Sequence, residues 1–293
     1  MKKIIFLVGM FLLVAGIAFW SAKKSTPTVE IKKLRVVVSG YVPYTLVRQL
    51  AGEEVEVSML LPVNAEPHSF EPTPGVIVAV NQADIFVYIS DRLEPWAKDV
   101  LGDKKDKVVR LADGAAPSED PHVWMDFNNM RQMARLVTET LVQKDPKNQS
   151  IYEENLSDFL AELDSLDQTY REVLSSCQSN EVVHIGHLAF KNLTKNYHLS
   201  LSALAGASHD GEHSVHKLTE LIKLIKHKNV KAIFTEETLS PRLSAMVAEE
   251  TGAQVLPLYT VEHISKEDFD TQVTYGELMR RNLQSLKRGL ACQ

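Results

Sequence analysis

The stretch that decides the fold runs from residue 148 to residue 176 and reads NQSIYEENLSDFLAELDSLDQTYREVLSS. Its large apolar side chains recur at helical spacing among polar ones: Tyr152, Leu156, Phe159, Leu160, Leu163, Leu166 and Tyr170. It follows Asp145-Pro146, a typical helix start, and contains neither Gly nor Pro. The pattern predicts one helix that would be about 43 Å long.

Short apolar runs rich in β-branched residues lie on both sides of this helix. Such runs, bounded by Gly, Pro, Asn or Asp, are typical of buried strands. Before the helix they cover residues 35–39, 55–61, 84–90 and 107–111. After the helix they cover residues 181–185, 199–204, 230–235 and 254–258.

Helical patterns separate the predicted strands. In the first half they cover residues 44–51, 75–82 and 128–143, and in the second half residues 188–197, 214–226, 241–250 and 274–290. Strands that alternate with helices predict an α/β fold with mainly parallel sheets. We therefore expect two α/β lobes of four strands each, at residues 33–147 and 179–293, joined by a linking helix at residues 148–178.

Composition narrows the class of protein. The chain has 293 residues, 44% of them hydrophobic and 24% charged, which fits a folded globular protein and excludes a disordered, collagenous or multi-pass membrane chain. Its 32 basic residues against 38 acidic ones give a net charge of −6. No excess of basic residues is available to neutralise phosphates, so we expect no nucleic-acid partner.

The N-terminus indicates export. Lys2 and Lys3 precede an apolar run over residues 4–20, as in a signal peptide, so residues 1–22 are a signal peptide or an uncleaved anchor. No cysteine follows the run, which excludes a lipoprotein anchor at that point. We expect a periplasmic or other extracytoplasmic protein, free or tethered to the membrane. There, Cys177 and Cys292 either form a disulfide or remain free buried thiols.

Most motifs of catalysis are absent from the sequence. It contains no phosphate loop, no Gly-x-Gly-x-x-Gly, no Gly-x-Ser-x-Gly, no His-Glu-x-x-His and no Cys-x-x-Cys. Nothing predicts a nucleotide site or a catalytic triad. What remains is a set of ten histidines, several of them beside Pro, Asp or Glu in predicted loops.

Three histidines and one glutamate follow predicted strands. His68 comes after the second strand, His122 after the fourth, His187 after the fifth and Glu262 after the eighth. Open α/β sheets bind ligands beyond the carboxyl ends of their strands, and each lobe would supply two of these residues. Three imidazoles and one carboxylate suit a borderline divalent metal, above all tetrahedral Zn²⁺.

The segments around these residues resemble a known family, the solute-binding receptors of zinc and manganese ABC importers. The resemblance rests on PHSFEPTP at 67–74, AD at 83–84, LEPW at 93–96, DPHVW at 120–124, DP at 145–146 with Tyr152 and Asn155, and HLAF at 187–190. It covers nearly all of the chain after the signal. It implies two Rossmann-like lobes with helices on both faces, an ion held in the cleft between them, and delivery of that ion to a membrane permease.

The resemblance also implies which residues hold the ion. It makes His68, His122 and His187 ligands. At the position of His187 the manganese-type receptors carry Glu, so nitrogen ligation favours Zn²⁺ over Mn²⁺. At the fourth position family members commonly carry Asp, whereas this chain places Glu262 there. Neighbouring His263 or a water molecule is the alternative fourth ligand.

Other polar residues have less specific interpretations. His209, His213 and His216 form either a secondary metal-capture site or a capped, polar helix start. His184 is a core residue or supports a ligand. Glu236 and Glu237 are better placed to orient a ligating imidazole. We expect Trp96 and Trp124 to be core or cleft-wall aromatics. We expect His198 and His227 to be solvated.

The sequence thus predicts a monomeric zinc receptor that hands its ion to the permease of an ABC importer and performs no chemistry. The nearest alternative is the same role for Mn²⁺ or Fe²⁺. Alternatives of another class are a zinc hydrolase, with Glu262 as general base, and an adhesin whose metal is structural.

Overall fold

A computed structural model of the chain describes residues 32–63, 65–101, 105–205, 215–236 and 241–293. The expected signal at residues 1–22 lies outside this part, as do His209, His213 and Glu237. Residues Leu34–Gln293 form one unit. Within the described ranges, no helix is both long and apolar enough to cross a membrane.

The first half of the chain forms a four-stranded parallel sheet. Its strands are β1 (Leu34–Val38), β2 (Val55–Met59), β3 (Ile85–Tyr88) and β4 (Val108–Arg110), in the order β2-β1-β3-β4. Its helices are α1 (Tyr41–Ala51), α2 (Pro74–Gln82), α3 (Ala97–Leu101) and α4 (Phe127–Lys144). β3 is buried along its whole length, as expected of a strand covered on both faces.

The predicted long helix is α5 (Gln149–Ser175), with 27 residues, which corresponds to about 40 Å. Asp145 fixes its first turn, because this carboxylate accepts hydrogen bonds from the Tyr152 hydroxyl at 2.7 Å and from Asn148 Nδ2 at 2.8 Å. Of the predicted apolar stripe, Leu156 and Leu160 are half-buried, and Leu174 extends the buried face; the fully buried members are Tyr152, Phe159, Leu163, Leu166 and Tyr170. The stripe packs α5 against both halves of the chain.

The second half repeats the first sheet. Its strands are β5 (Glu181–Ile185), β6 (Ser200–Ala203), β7 (Ala232–Thr235) and β8 (Gln254–Pro257), in the order β6-β5-β7-β8, and every pair is parallel. Its helices are α6 (Lys191–Asn196), α7 (Val215–Lys228), α8 (Pro241–Thr251), α9 (Lys266–Asp270) and α10 (Tyr275–Gly289). Two parallel α/β lobes joined by one long helix confirm the predicted fold class.

A few elements differ from the prediction. The helix expected at 188–197 is reduced to the six residues of α6, because the chain turns tightly after β5, with the Ala189 N–H donating to the His187 carbonyl at 2.9 Å. Helices α3 and α9 were not predicted, since five residues are too few to establish a helical period. Ser265 starts α9 by accepting a hydrogen bond from the Asp268 N–H.

A disulfide joins Cys177, just after α5, to Cys292, just after α10. The two residues also form an isolated antiparallel bridge. The disulfide therefore ties the end of the linking helix to the C-terminus, and the alternative of free thiols is wrong.

One hydrophobic core runs through both lobes and the linking helix. It contains Val36 of β1, Phe159 of α5 and Phe234 of β7 in a single cluster. Buried hydrogen bonds cross between the lobes within this core: Trp124 Nε1 donates to the Thr260 carbonyl at 2.8 Å, and the Tyr275 hydroxyl donates to the Trp124 carbonyl at 2.8 Å. The lobes share this core, and each also has a smaller buried cluster of its own on the other face of its sheet.

We expect the two lobes to unfold in one cooperative transition, because the largest cluster of buried side chains is continuous through both of them. Calorimetry of the metal-free, disulfide-intact protein should give equal calorimetric and van't Hoff enthalpies. Tyr275→Phe leaves the Trp124 carbonyl without this donor, so it should lower the free energy of unfolding by about 1–3 kcal/mol while the transition stays single. Two resolved transitions in the wild-type protein would contradict a shared core.

Candidate metal centre

Four side chains converge at the carboxyl ends of the two sheets. Potential ligand atoms of His68, His122, His187 and Glu262 all lie within 4.8 Å of one another. The nearest separations are 3.2 Å between the Nε2 atoms of His122 and His187, and 3.3 Å between His187 Nε2 and Glu262 Oε2. His68 Nε2 lies 3.4 Å from Glu262 Oε1, and His122 Nε2 lies 3.7 Å from Glu262 Oε2.

These separations fit one tetrahedral ion. Ligand atoms about 2.1 Å from a tetrahedral zinc lie about 3.4 Å from one another, close to the observed spread. The donor set of three imidazoles and one carboxylate is of the kind that zinc prefers. In the part of the chain that the structure describes, this is the one group of three or more residues that could hold a metal.

Each lobe supplies two of the four residues. His68 lies between β2 and α2 and His122 between β4 and α4, whereas His187 follows β5 and Glu262 follows β8. Glu262 comes directly after Val261, whose φ of 64° is in the left-handed region. A β-branched residue adopts this conformation only at a cost in free energy, and the buried surroundings of Val261 hold it there. The turn at Val261 directs the glutamate into the cluster.

Carboxylates orient two of the imidazoles. Asp120 Oδ1 accepts hydrogen bonds from His122 Nδ1 at 2.7 Å and from the His122 backbone N–H at 3.1 Å. Glu236 does the same for His187, with His187 Nδ1 donating to Oε2 at 2.8 Å and the backbone N–H donating to Oε1 at 3.1 Å. Protonation at Nδ1 leaves Nε2 of both rings facing the cluster, as a metal-ligating histidine requires.

The sequence identified Glu236 as a support for a ligand but missed Asp120. The signal was present, because an aspartate two residues before a histidine can accept its N–H in a local turn. His184, expected as a core or supporting residue, is fully buried, and its Nδ1 lies 3.0 Å from the His187 carbonyl oxygen.

Gly186 allows Glu236 to approach. A Cβ at this position would lie 2.1 Å from Glu236 Oε1 and 2.6 Å from His184 Cε1, both impossible distances. The hydrogen bonds between Glu236 and His187 therefore require glycine here.

Two side chains of the first lobe hold the loop that carries His68. Trp96 Nε1 donates to the Pro67 carbonyl at 3.1 Å, and Glu66 Oε1 accepts from the His68 N–H at 3.0 Å. The other oxygen of Glu66 lies 3.8 Å from Nε2 of His263, which is buried. His263, the alternative fourth ligand, thus faces Glu66, and Glu262 occupies the cluster.

Solvent reaches the cluster on the side of His68. The His68 side chain is 9% exposed, against 0–1% for the side chains of His122, His187 and Glu262. An ion therefore has its shortest path to solvent past His68.

Hydrogen bonds and charges govern ionisation in the cluster. Burial disfavours a charged His187 ring, but hydrogen bonds to Glu236 and Glu262 outweigh it and raise the pKa of His187 to about 10. Burial likewise opposes ionisation of Glu262, yet the His187 hydrogen bond and the charges of His122 and His187 hold its pKa well below the usual range. Without metal, these shifts favour a protonated His187 ring beside an ionised Glu262 at neutral pH.

Glu94, from the LEPW segment, is another buried acid nearby. Its Oε2 accepts the backbone N–H groups of Ile89 at 2.7 Å and of Ser90 at 3.1 Å. Burial raises the pKa of Glu94 to about 7, and the charge of Glu262 adds to this effect. Through its two hydrogen bonds to Ile89 and Ser90, Glu94 holds the loop after β3 in place beside the site.

The remaining histidines lie apart from the cluster. His198 and His227 are exposed, as predicted. His216 is exposed on α7, where its Nε2 lies 3.1 Å from Glu220 Oε1 one turn later. Its proposed companions His209 and His213 are outside the described residues. Trp96 and Trp124 are both buried, in keeping with the expected core or cleft-wall positions.

We expect Gly186→Ala to weaken zinc binding by about 10- to 100-fold, because the new methyl group displaces Glu236 from His187. Isothermal titration with a competing chelator measures the change. Glu236→Gln should weaken binding in the same direction. The matched control is Gly75→Ala on α2, where the added Cβ meets Thr73 Oγ1 at an ordinary 3.6 Å and is exposed. Unchanged affinity in Gly186→Ala would contradict the orienting role of Glu236.

Zinc binding should release about one proton at pH 7.5, because the raised pKa of His187 keeps the metal-free ring protonated. Because zinc must displace this proton, the apparent affinity for zinc should rise about tenfold per pH unit between about pH 7 and 9 and fall as the pH drops. Titrations in buffers of different ionisation enthalpy count the proton. Glu236→Gln should reduce the proton count by removing one partner of the imidazolium. A count of zero in the wild type would exclude this protonation state.

Comparison with known proteins agrees with the geometry. Residues 36–289 match the family described as "Zinc-uptake complex component A periplasmic". The high-affinity zinc uptake system protein ZnuA of Bacillus subtilis is 33% identical over 307 residues, covering 97% of this chain and 96% of that protein. The zinc-binding lipoprotein AdcA of Streptococcus pneumoniae strain R6 is 29% identical, and its match spans 87% of this chain but 56% of AdcA.

Solved structures share the fold. The laminin-binding protein of Streptococcus agalactiae, described as a bifunctional protein with adhesin and metal-transporting activity, superposes with a TM-score of 0.80 at 31% identity over 88% of this chain and 99% of its own. The Zn(II)-bound ZnuA-like domain of pneumococcal AdcA gives 0.78 at 29% identity, over 88% and 99% of the two chains. With a family match over most of its length and a relative of 33% identity, the chain belongs to the family of periplasmic zinc-uptake components.

Proposed function

We propose that this chain captures one Zn²⁺ outside the cytoplasm, between its two lobes, and delivers it to the permease of an ABC importer. The observation that carries the proposal is the buried cluster of three imidazoles and one carboxylate, with nearest ligand-atom separations of 3.2–3.7 Å. His68, His122, His187 and Glu262 are the four ligands. The membership of the chain in a zinc-uptake family supports the choice of ion.

Binding involves no chemical step in this proposal. Three neutral imidazoles and one carboxylate reduce the formal charge of a bound Zn²⁺ to +1, and the carboxylates of Asp120 and Glu236 place negative charge behind two of the imidazoles. Three nitrogen donors favour Zn²⁺ over Mn²⁺ and Fe²⁺, which prefer a larger share of oxygen ligands.

The same cluster argues against a zinc hydrolase. Catalytic zinc keeps one coordination position open, with a general base beside it. Here Glu262 is the carboxylate that would have to act as base, and it lies within 3.7 Å of all three imidazoles, at a ligand's position. Four protein ligands leave no open position on a tetrahedral ion, so we assign the chain no catalytic activity.

The proposal extends to the cellular location, the domains and the partners of the chain. The description of the family as periplasmic and of a relative as a lipoprotein supports a location outside the cytoplasm. We propose export by residues 1–22, cleaved or retained as a tether, lobes at residues 33–147 and 179–293, and a linking segment at 148–178. The receptor acts as a monomer, its partners are the metal ion and the permease, and nucleic acid is not among them.

Alanine substitution tests the ligand set. We expect His68→Ala, His122→Ala, His187→Ala and Glu262→Ala each to weaken zinc binding by at least about 100-fold, because each removes one of four ligands from a closed site. Titration against a chelator of known affinity measures the loss. His263→Ala is the matched control and should stay within a few fold of the wild type, since His263 faces Glu66.

Two outcomes would contradict the proposal. Loss of binding in His263→Ala with full binding in Glu262→Ala would transfer the fourth position to His263. Retention of Mn²⁺ in the wild-type protein under competition by equimolar Zn²⁺ would overturn the choice of ion. Zinc uptake by cells that contain the cognate permease should follow the same order of variants, which ties binding to delivery.

A further inference from the structure

One side chain outside the ligand set reaches across the cleft to a ligand of the other lobe. Asn192 lies on α6 of the second lobe, five residues after His187. Its Nδ2 donates a hydrogen bond of 2.9 Å to the backbone carbonyl of His122, a ligand from the first lobe. Neither the sequence pattern nor the family resemblance assigns a role to this residue.

The hydrogen bond from Asn192 adds to those by which the first lobe holds His122 in place. The first lobe holds this residue through Asp120, which accepts from both its ring and its N–H, and through the Met125 N–H, which donates to its carbonyl at 3.2 Å. A carbonyl oxygen has two lone pairs. Asn192 occupies the second acceptor position of the carbonyl with a shorter bond than that of Met125, and it does so from the opposite lobe.

Asn192 stands on a well-anchored element. Its neighbours Leu193 and Thr194 are buried. Thr194 Oγ1 donates to the Phe190 carbonyl at 2.9 Å, and the Thr194 carbonyl accepts the Leu199 N–H at 2.9 Å. The segment from His187 to Asn192 therefore provides one ligand and holds the main chain of another. The 3.2 Å approach of the Nε2 atoms of His122 and His187 joins the same two segments.

We propose that Asn192 is a positioning residue for zinc, which keeps His122 and His187 at coordination distance across the cleft and thereby lengthens the residence time of the ion. The inference rests on the proposed function, because it assumes that these two imidazoles bind zinc. Outer partners of ligating residues commonly alter metal affinity by about 10- to 100-fold. Since the ligands themselves are unchanged, the effect falls on the dissociation rate of zinc.

Three variants of the full chain test the proposal. Asn192→Ala removes the donor, and Asn192→Asp keeps the shape but places a carboxylate oxygen against the His122 carbonyl. We expect zinc to dissociate about tenfold faster from Asn192→Ala and at least as fast from Asn192→Asp, measured by stopped-flow transfer to an excess of chelator. Asn196→Ala, one turn later on the same helix, is the matched control and should stay within twofold of the wild type.

Two further measurements separate positioning from general stability. The absorption spectrum of the Co²⁺-loaded variants should match that of the wild type, because the four ligands are intact. The melting temperature without metal should change little, whereas the increase on adding zinc should shrink. A purely structural role would lower both melting temperatures equally and leave the dissociation rate unchanged.

The failure of each idea gives a different result. Zinc dissociation from both Asn192 variants within twofold of the wild type would overturn the role of Asn192 while leaving the receptor intact. A wild-type protein that binds no zinc would instead overturn the proposed function. If Asn192→Ala does not fold, Asn192→Asp, which matches asparagine in size, decides the question alone.

Discussion

The candidate ligand atoms of the two lobes keep separations of 3.2–3.7 Å only if the lobes hold a fixed position against each other. The shared core and the linking helix supply that constraint. The hydrogen bond between the Trp124 indole and the Thr260 carbonyl, which joins the lobes, lies close to the site. Trp124 follows His122 by two residues, and Thr260 precedes Glu262 by two. The bonds that join the lobes therefore also position the ligands.

The fixed position of the lobes also holds several buried carboxylates close together. Glu262, Asp120 and Glu236 are all nearly fully buried within a few ångströms of the same imidazoles. Burying ionised carboxylates costs free energy unless opposite charge accompanies them. Without metal that charge comes from the proton at His187, and with metal it comes from the dication. Metal and proton thus compete for one arrangement of negative groups, which links affinity to pH.

The sequence predicted the parts of this arrangement that depend on local patterns. Strands and helices followed from hydrophobic period, and the placement of His68, His122, His187 and Glu262 after strands followed from the rule that parallel sheets bind at their carboxyl ends. It could not predict contacts made only by packing. Asn192 looked like one polar residue of a longer helix. The approach of Glu236 to His187 depends on Gly186, and the direction of Glu262 depends on a left-handed Val261. None of these leaves a periodic signal.

Different residues of the site control the access of solvent to the ion and the retention of the ion. His68 is the proposed ligand that solvent reaches, and Trp96 and Glu66 hold the main chain of its loop by hydrogen bonds. His122 and His187 are fully buried, and Asn192 joins their two segments across the cleft. A change in the His68 loop alters how the ion passes to solvent, whereas a change at Asn192 alters how firmly the buried pair holds it. Any relative movement of the two lobes weakens the Asn192 bond before it opens their shared core, because a 2.9 Å hydrogen bond tolerates less displacement than a broad apolar interface.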